Sequence, residues 1–473
     1  MKKKLPRSLL VNPWVYDFAA FDLWSKPLGL LYIAAVLREQ GWDVQLLDCM
    51  DRLDSELTRQ KKPSFKKHFT GKYDRHIITR PAVLSDIKRR YSRYGLPVDF
   101  IKERLRSCPK PDIILITSGM IYWYPALIDM VKIIREFFND TLILLGGIYA
   151  TLVPDHARKN VPVDAVIEGE AENALPELIS ESYGFDFRTK CYNALDDLPY
   201  PAFDLYPELV YLPVLTSRGC PLRCSFCASY RVSGKFRMRS VESVVEEISY
   251  FHEKTGVKHY AFYDDALLFN KETHILPILD SILNRGLKLR FHAPNGLQAG
   301  EIDRQCADMM KRAGFTTLRL SLETTAVERE KDLSWKVNPD KFIQAVDALA
   351  DAGFERETLE AYILMGLPEQ KPEEVIESVY FTAQQGVVTK LAAFSPIPGT
   401  KDWDRALKTG DLSADADLVE TNNTVYINRT KNFGFDITVR LKDAAQRLNA
   451  CVRDQTVLPD LNTIKKEVLY SRK

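Results

Sequence analysis

Short apolar runs alternate with segments whose apolar residues recur every three to four positions, and this alternation limits the chain to a small set of α/β folds. Ser8–Asn12 (SLLVN) reads as a short buried strand, Leu28–Glu39 as a helix stopped by Gly41, and Asp43–Leu47 as a second strand. Asp112–Thr117, Thr141–Leu145 and Ala165–Ile167 supply three more strands, with a helix over Tyr124–Phe138 between the first two of these. Strands and helices with short Gly-containing joints predict a doubly wound parallel sheet whose ligand site lies at the strand C-termini.

After the connector Asp196-Asp197-Leu198-Pro199-Tyr200-Pro201 the alternation restarts. Strands are predicted at Leu212–Ser217, Tyr260–Tyr263, Leu289–Ala293, Thr317–Leu322, Glu360–Met365 and Lys390–Phe394. Helices fit between them at Val241–His252, Ala299–Ala313, Pro339–Ala352 and Pro372–Gln385. Six β/α units over about 190 residues predict a partial (β/α) barrel with its chemistry on the loops after each strand. The last ~60 residues carry no repeat, and a final helix over Val439–Val452 followed by a polar tail is expected there.

With 473 residues the chain is long enough for two or three domains. Its charges nearly cancel, 65 Lys+Arg against 64 Asp+Glu, so binding to nucleic acid by overall charge is not expected. No apolar run reaches the ~18 residues of a membrane helix, and only Ser8–Val11 follow the basic start, too few for a signal peptide. A cytoplasmic protein is the resulting expectation. One segment departs from charge balance: Thr58–Arg90 holds 11 Lys+Arg against 2 Asp+Glu and interrupts the first sheet. It reads as an insertion, either a solvated, partly helical excursion or a contact for an anionic ligand.

Eight cysteines are too sparse for a disulfide scaffold, and Cys49, Cys108, Cys191, Cys306 and Cys451 are scattered singly. The other three stand together after the first barrel strand, in Ser217-Arg218-Gly219-Cys220-Pro221-Leu222-Arg223-Cys224-Ser225-Phe226-Cys227. The spacing is C-x3-C-x2-C. Three thiolates on one tight loop can ligate three irons of a [4Fe-4S] cubane and leave the fourth iron open for a substrate or cofactor. Buried structural thiols, or a zinc site completed from a distance by Cys191, His252 or His259, are the alternatives.

The triplet, with Phe226 before its last cysteine and its place after a barrel strand, resembles the radical S-adenosylmethionine (SAM) superfamily. The resemblance implies a [4Fe-4S] cluster on Cys220, Cys224 and Cys227, SAM chelating the open iron, and reductive cleavage of SAM to a 5′-deoxyadenosyl radical. It also implies SAM contacts at the strand ends: Asp264 and Asp265 near the amine, Glu323 at the ribose, Gly366 near the adenine, and Pro398 within Ser395–Thr400. Asn295 and Arg218 are further candidates to face this site.

The first ~180 residues resemble the cobalamin-binding domain found in one branch of that superfamily. The matching stretches are Pro27–Tyr32, Thr117-Ser118, Gly146-Gly147-Ile148-Tyr149-Ala150-Thr151 and Glu168-Gly169-Glu170. They imply cobalamin contacts at Gly29, Ser118, Gly146, Gly147, Tyr149, Thr151, Glu168 and Gly169. Asp48-Cys49-Met50-Asp51-Arg52 lacks the D-x-H-x-x-G that supplies a cobalt-ligating histidine, and Tyr149 stands where the family often has histidine.

The domains expected are thus 1–185, a cobalamin-binding-like Rossmann domain with a basic insertion at 52–110; 186–210, a linker; 211–410, a radical SAM partial barrel; and 411–473, a small, mainly helical segment. The function implied is a radical SAM enzyme that methylates or rearranges an unactivated carbon, with cobalamin as carrier. Radical chemistry beside a vestigial cobalamin domain, and a non-catalytic iron–sulfur protein, are the alternatives. A tRNA methylthiotransferase would need three more N-terminal cysteines, and only Cys49 and Cys108 lie there. The implied partners are an electron donor such as flavodoxin or ferredoxin and an anionic or lipid-like substrate.

Overall fold

The computed structural model describes residues 5–184, 190–333 and 337–470. The basic residues Lys2–Lys4, the boundary expected at 185/186 and the end of the expected polar tail lie outside these. The chain divides into two compact units, one of residues 1–213 with 231–234 and the other of 214–230 with 235–473.

The first unit is built on five parallel strands: β1 (Arg7–Asn12), β2 (Asp43–Asp48), β3 (Ile113–Ile116), β4 (Leu142–Leu145) and β5 (Ala165–Val166). Their spatial order is β5-β4-β3-β1-β2, with the reversal at β1 that marks a doubly wound sheet. Leu28–Glu39 is helical over the span its periodicity predicts, and nine of its twelve residues are buried. Its Ala34 and Leu37 pack with Leu10, Ile113, Leu144 and Ile179 in one core. A helix this apolar on most faces holds its position through tertiary packing rather than propensity.

The basic insertion is largely exposed and holds the end of helix Ser55–Gln60 and 3-10 turns at Lys67–Phe69 and Ala82–Leu84, as a solvated, partly helical excursion would. It also contains short strands that the sequence reading did not anticipate. Val15–Asp17, Ser92–Tyr94 and Arg75–Ile77 form an antiparallel sheet, and Phe21–Asp22 pairs with Gly71–Lys72. The charged side chains of the run sit on the rim of these strands while Trp14 and Trp24 fill the interior, which hid the strand pattern behind charge.

The second sheet has six parallel strands in sequential order: β6 (Leu212–Val214), β7 (His259–Phe262), β8 (Arg290–Gln298), β9 (Phe315–Glu323), β10 (Glu360–Met365) and β11 (Val388–Ala393). This is an open, partial (β/α) barrel. Phe262, Phe291 and Phe315 stack across β7, β8 and β9 with ring centroids 5.2–5.8 Å apart, an aromatic layer that adds to simple burial. Two irregularities interrupt the ladder near the strand C-termini, between Ala293 and Leu297 of β8 and between Ser321 and Glu323 of β9. Bulges of this kind re-aim side chains beside functional sites. The first predicted strand is shorter than expected, because Ser217-Arg218 leaves the sheet to pair with Arg237-Met238.

The predicted helix Ala299–Ala313 is a 3-10 turn followed by a helix over Arg304–Ala313, divided where Asp303 caps the Cys306 N–H at 2.8 Å. At the C-terminus the helix runs over Gly434–Asp454, longer than predicted, and a further helix spans Leu461–Tyr470 in place of an irregular tail. The Asp460 carboxylate accepts from the Thr463 N–H, and Ile464 and Val468, four apart, are buried on one face. Asn449 of the long helix bonds both backbone groups of Thr389 in β11, accepting its N–H at 2.7 Å and donating to its carbonyl at 2.9 Å. The side-chain amide thereby stands in for a strand at the sheet edge.

Candidate active site

The three clustered cysteines lie on the loop after β6, outside any disulfide and half-buried. The loop is pinned at several points. Ser225 donates its N–H to the Leu333 carbonyl at 3.0 Å and its hydroxyl to Asp402 Oδ2 at 2.6 Å, while Asp402 returns its own N–H to the Ser225 carbonyl at 3.1 Å. Tyr230 donates to the Gly399 carbonyl at 3.2 Å and packs under the Arg223 guanidinium, 4.2 Å from its ring centre. The loop is thus tied to the segment after β11, where Ser395–Thr400 ends in the Thr400 cap of helix Lys401–Thr409. The Ser229 N–H points at Cys227 Sγ at 3.5 Å, a donor suited to a thiolate.

Among the described residues no three His, Cys, Asp or Glu side chains converge on a single metal ion. A cubane asks for a different arrangement, each cysteine taking a separate iron, and the donor set of three accessible thiols on one loop fits it. The solitary cysteines are of another kind: burial pushes the Cys306 thiol up to about 12 and raises Cys49 well above its ordinary value.

Sequence reasoning treats Asp264 and Asp265 as a pair, and the structure separates them. Asp264 is 3% exposed, and its carboxylate accepts from the Thr216 N–H and hydroxyl and from the Ser217 hydroxyl at 2.6–3.0 Å. Burial raises its pKa while those bonds lower it, and His274 closes the network 2.8 Å from the Thr216 hydroxyl. Asp264 therefore organises the start of the cysteine loop, its Oδ1 taking three of these bonds. Asp265 reaches solvent, yet surrounding protein disfavours its charge, and Asp264 adds repulsion. Its pKa is pushed up to about 6 despite a hydrogen bond with Ser229. Thr216, Ser217 and His274 carried no motif that could have singled them out.

Glu323 ends β9 with φ of +64° and is 6% exposed, a left-handed backbone that costs a non-glycine residue about 1–2 kcal/mol. Strain held at a strand C-terminus inside a β/α barrel is a feature of functional positions. Gly366, after β10, has φ of +90°, and a Cβ there would meet Ile427 at 2.9 Å. The buried Gln370 shapes this turn, accepting from the Gly366 N–H at 2.8 Å and donating to the Leu364 carbonyl at 3.1 Å. Asn295 donates to the Tyr263 carbonyl at 3.0 Å from the bulge in β8. Pro398 is half-buried in the segment bridged to Tyr230 through Gly399.

In the other unit, Ser118, Gly146, Gly147, Thr151 and Gly169 gather at the C-terminal ends of β3, β4 and β5. The Ser118 hydroxyl donates to the Gly146 carbonyl at 2.6 Å, and the Thr151 hydroxyl donates to the Gly147 carbonyl while accepting the Gly169 N–H, each at 2.9 Å. Gly147 has φ of +93° and no room for a Cβ, which would lie 2.5 Å from the Ser118 carbonyl, whereas Gly146 and Gly169 face open space. Two expected contacts are not presented this way. Tyr149 is fully buried with its hydroxyl 2.7 Å from His156 and its ring stacked near Tyr124, so its side chain serves packing. Glu168 is paired with Arg158. Gly29, exposed in the first turn of its helix, faces open space as Gly146 and Gly169 do.

Comparison with known proteins follows this division. Residues 214–381 match the radical SAM superfamily model. The chain is similar to an uncharacterized methyltransferase of Pyrococcus horikoshii, 27% identical over 81% of this chain and 79% of that one. It is also similar to the cytidylyl-2-hydroxyethylphosphonate methyltransferase of Streptomyces wedmorensis, 22% identical over 88% of this chain and 84% of that one. Among solved structures, the radical SAM methyltransferase TsrM of Kitasatospora setae, with cobalamin and a [4Fe-4S] cluster bound, shares the fold. Its TM-score is 0.65 at 16% identity, covering 97% of this chain and 94% of that one. Residues 214–381, with the cysteine loop at their start, are thus the part of the chain that matches the radical SAM superfamily.

Proposed function

We propose that the protein is a cobalamin-dependent radical SAM methyltransferase acting on an unactivated carbon, with a [4Fe-4S] cluster on Cys220, Cys224 and Cys227. The observation that carries this reading is the set of three cysteines outside any disulfide on one loop, pinned by Ser225 and Tyr230 at the C-terminal end of a partial barrel. When bound, the cluster supplies the electron that cleaves SAM and cobalamin carries the methyl group.

The chain's own groups then position and select. Asp265, reaching solvent beside the cysteine loop, suits the amine N–H groups of SAM, because a carboxylate is a stronger, charge-assisted acceptor than a neutral group. Glu323 suits the ribose hydroxyls, and the rigid turn at Gly366 with the Pro398 segment frames the adenine. In the first unit, the open backbone at Gly146 and Gly169, with exposed Met120 and Ile148 on the loops after β3 and β4, suits a large, flat, partly apolar ligand such as a corrin. No histidine follows β2; Asp48 there is buried and accepts from Tyr206, Asn12 and the Met50 N–H, so this loop offers cobalt no imidazole. A flavodoxin or ferredoxin is the reductant class this chemistry requires.

The test is anaerobic reductive cleavage of SAM by the reconstituted, reduced protein, followed as 5′-deoxyadenosine by mass spectrometry. Wild-type protein forms it, and Cys224→Ala forms none above a protein-free control. Undiminished turnover by Cys224→Ala would overturn the assignment.

A further inference from the structure

The basic run that interrupts the first sheet surrounds a cavity, and the way it is built indicates a ligand. Trp14 and Trp24 are buried and donate their indole N–H groups to the carbonyls of Leu96 and His68, each at 2.7 Å. The buried Arg52 guanidinium reaches Asp22 at 2.7 Å, the Ser64 carbonyl at 2.9 Å and the Phe69 carbonyl at 3.0 Å. A Cβ on Gly71 would lie 2.2 Å from that guanidinium, so the loop closes only around glycine. Trp24, His68 and Phe69 hold φ of +67°, +53° and +68°, a strained backbone for bulky side chains. A run of lysines that merely faced water would need none of this.

The cavity measures about 650 Å³, within the range of small-molecule sites. Phe18 and Tyr94, both buried, give it an aromatic wall, and Lys62, Lys72 and Arg75 stand around it. Asp74, the carboxylate of the lining, is taken by Lys61. Lys62, Lys72 and Arg75 have no carboxylate partner among the described residues. Like charges converging on one concavity repel until an anion enters it. Lysine as a mobile point charge and arginine as a two-pronged donor together match phosphoryl oxygens, and an aromatic wall matches an attached organic group.

We propose that this cavity binds an organic phosphate or diphosphate ester, with Lys62, Lys72 and Arg75 on the phosphoryl oxygens and Phe18 and Tyr94 against the organic part. The proposal does not rest on the radical reading. The test is calorimetric titration of the full chain at low salt with inorganic pyrophosphate, ADP and adenosine. Pyrophosphate and ADP bind, ADP at least as tightly, and adenosine does not. The double variant Lys72→Ala/Arg75→Ala, whose side chains are exposed, weakens both at least about ten-fold without lowering the melting temperature. Cys224→Ala leaves this binding unchanged, which separates the site from the cluster. Absence of binding, or binding indifferent to the double variant, overturns the proposal. So does a single-stranded RNA that outcompetes ADP and is lost in the same variant, since the patch would then track a polymer backbone.

Discussion

The hydroxyl of Ser225, between the second and third clustered cysteines, lies 2.6 Å from the carboxylate of Asp402, on the first turn of the helix after β11. Both residues are buried, at 1% and 2% exposure. One end of the barrel thereby fixes the loop at its other edge, and Arg405 holds Asp402 from the far side at 2.9 Å. Ser225→Ala leaves a buried carboxylate oxygen short of a donor, a cost of about 1–3 kcal/mol. The expected outcome is a lower melting temperature and less iron retained per chain after desalting. Wild-type iron retention in a destabilised variant would show that the loop keeps its shape without this bond.

Glu323 provides a test in which stability and binding separate. At φ of +64° glycine is relaxed and alanine is not, so Glu323→Gly is expected to be about 1 kcal/mol more stable than Glu323→Ala, although glycine is the more flexible residue. Both variants lose the ribose acceptor and weaken SAM binding at least about ten-fold. Thermal melts compare the pair, and equilibrium dialysis with SAM measures the second effect. Alanine matching or exceeding glycine in stability would contradict the left-handed backbone.

Asp265 titrates near 6, above the ordinary carboxylate. Since the folded-state value is the raised one, its charge weakens folding, a cost absent below pH ~4 and fully present above pH ~6. Binding runs the opposite way. If the carboxylate receives the SAM amine N–H groups, affinity rises as pH climbs through about 6 and levels off above it. SAM titrations from pH 5 to pH 8 in wild type and Asp265→Asn check this: the asparagine variant binds weakly, without that rise. A rise that persists in the variant would assign it to another group.

Much of this architecture is legible in the chain, for physical reasons that stop at the polar side chains. Leu28–Glu39 and Glu360–Met365 match their predicted spans residue for residue, because a nearly all-apolar segment bounded by Pro, Gly or charge leaves little choice of boundary. The cysteine triplet is equally plain, being local in sequence. The hold of Asp264 on Thr216 and Ser217, 48 and 47 residues before it in the chain, is visible only in the fold. The strands of the insertion are hidden because they are two or three residues long within a run rich in Lys and Arg, and the last helix by its brevity, with Ile464 and Val468 as its buried contacts.

The bond between Asn449 and Thr389 makes the C-terminal helix part of the barrel. Asn449→Ala leaves the buried N–H and C=O of Thr389 unpaired, costing about 2–4 kcal/mol and lowering the melting temperature by several degrees. Amide exchange at Thr389 should accelerate more than at Tyr362, which lies in the neighbouring interior strand. Unchanged exchange at Thr389 would mean that another group covers the edge.

The most direct measurement is the iron and cobalt content of the full chain, with its absorbance spectrum, after anaerobic reconstitution, incubation with hydroxocobalamin and desalting. A cobalamin-dependent radical SAM enzyme retains about four irons and stoichiometric cobalt in the wild type, and Cys224→Ala loses the cluster while keeping the corrin bands. Iron bound equally by Cys224→Ala would contradict the cluster site, and a wild-type protein that keeps its cluster but no corrin would contradict cobalamin dependence.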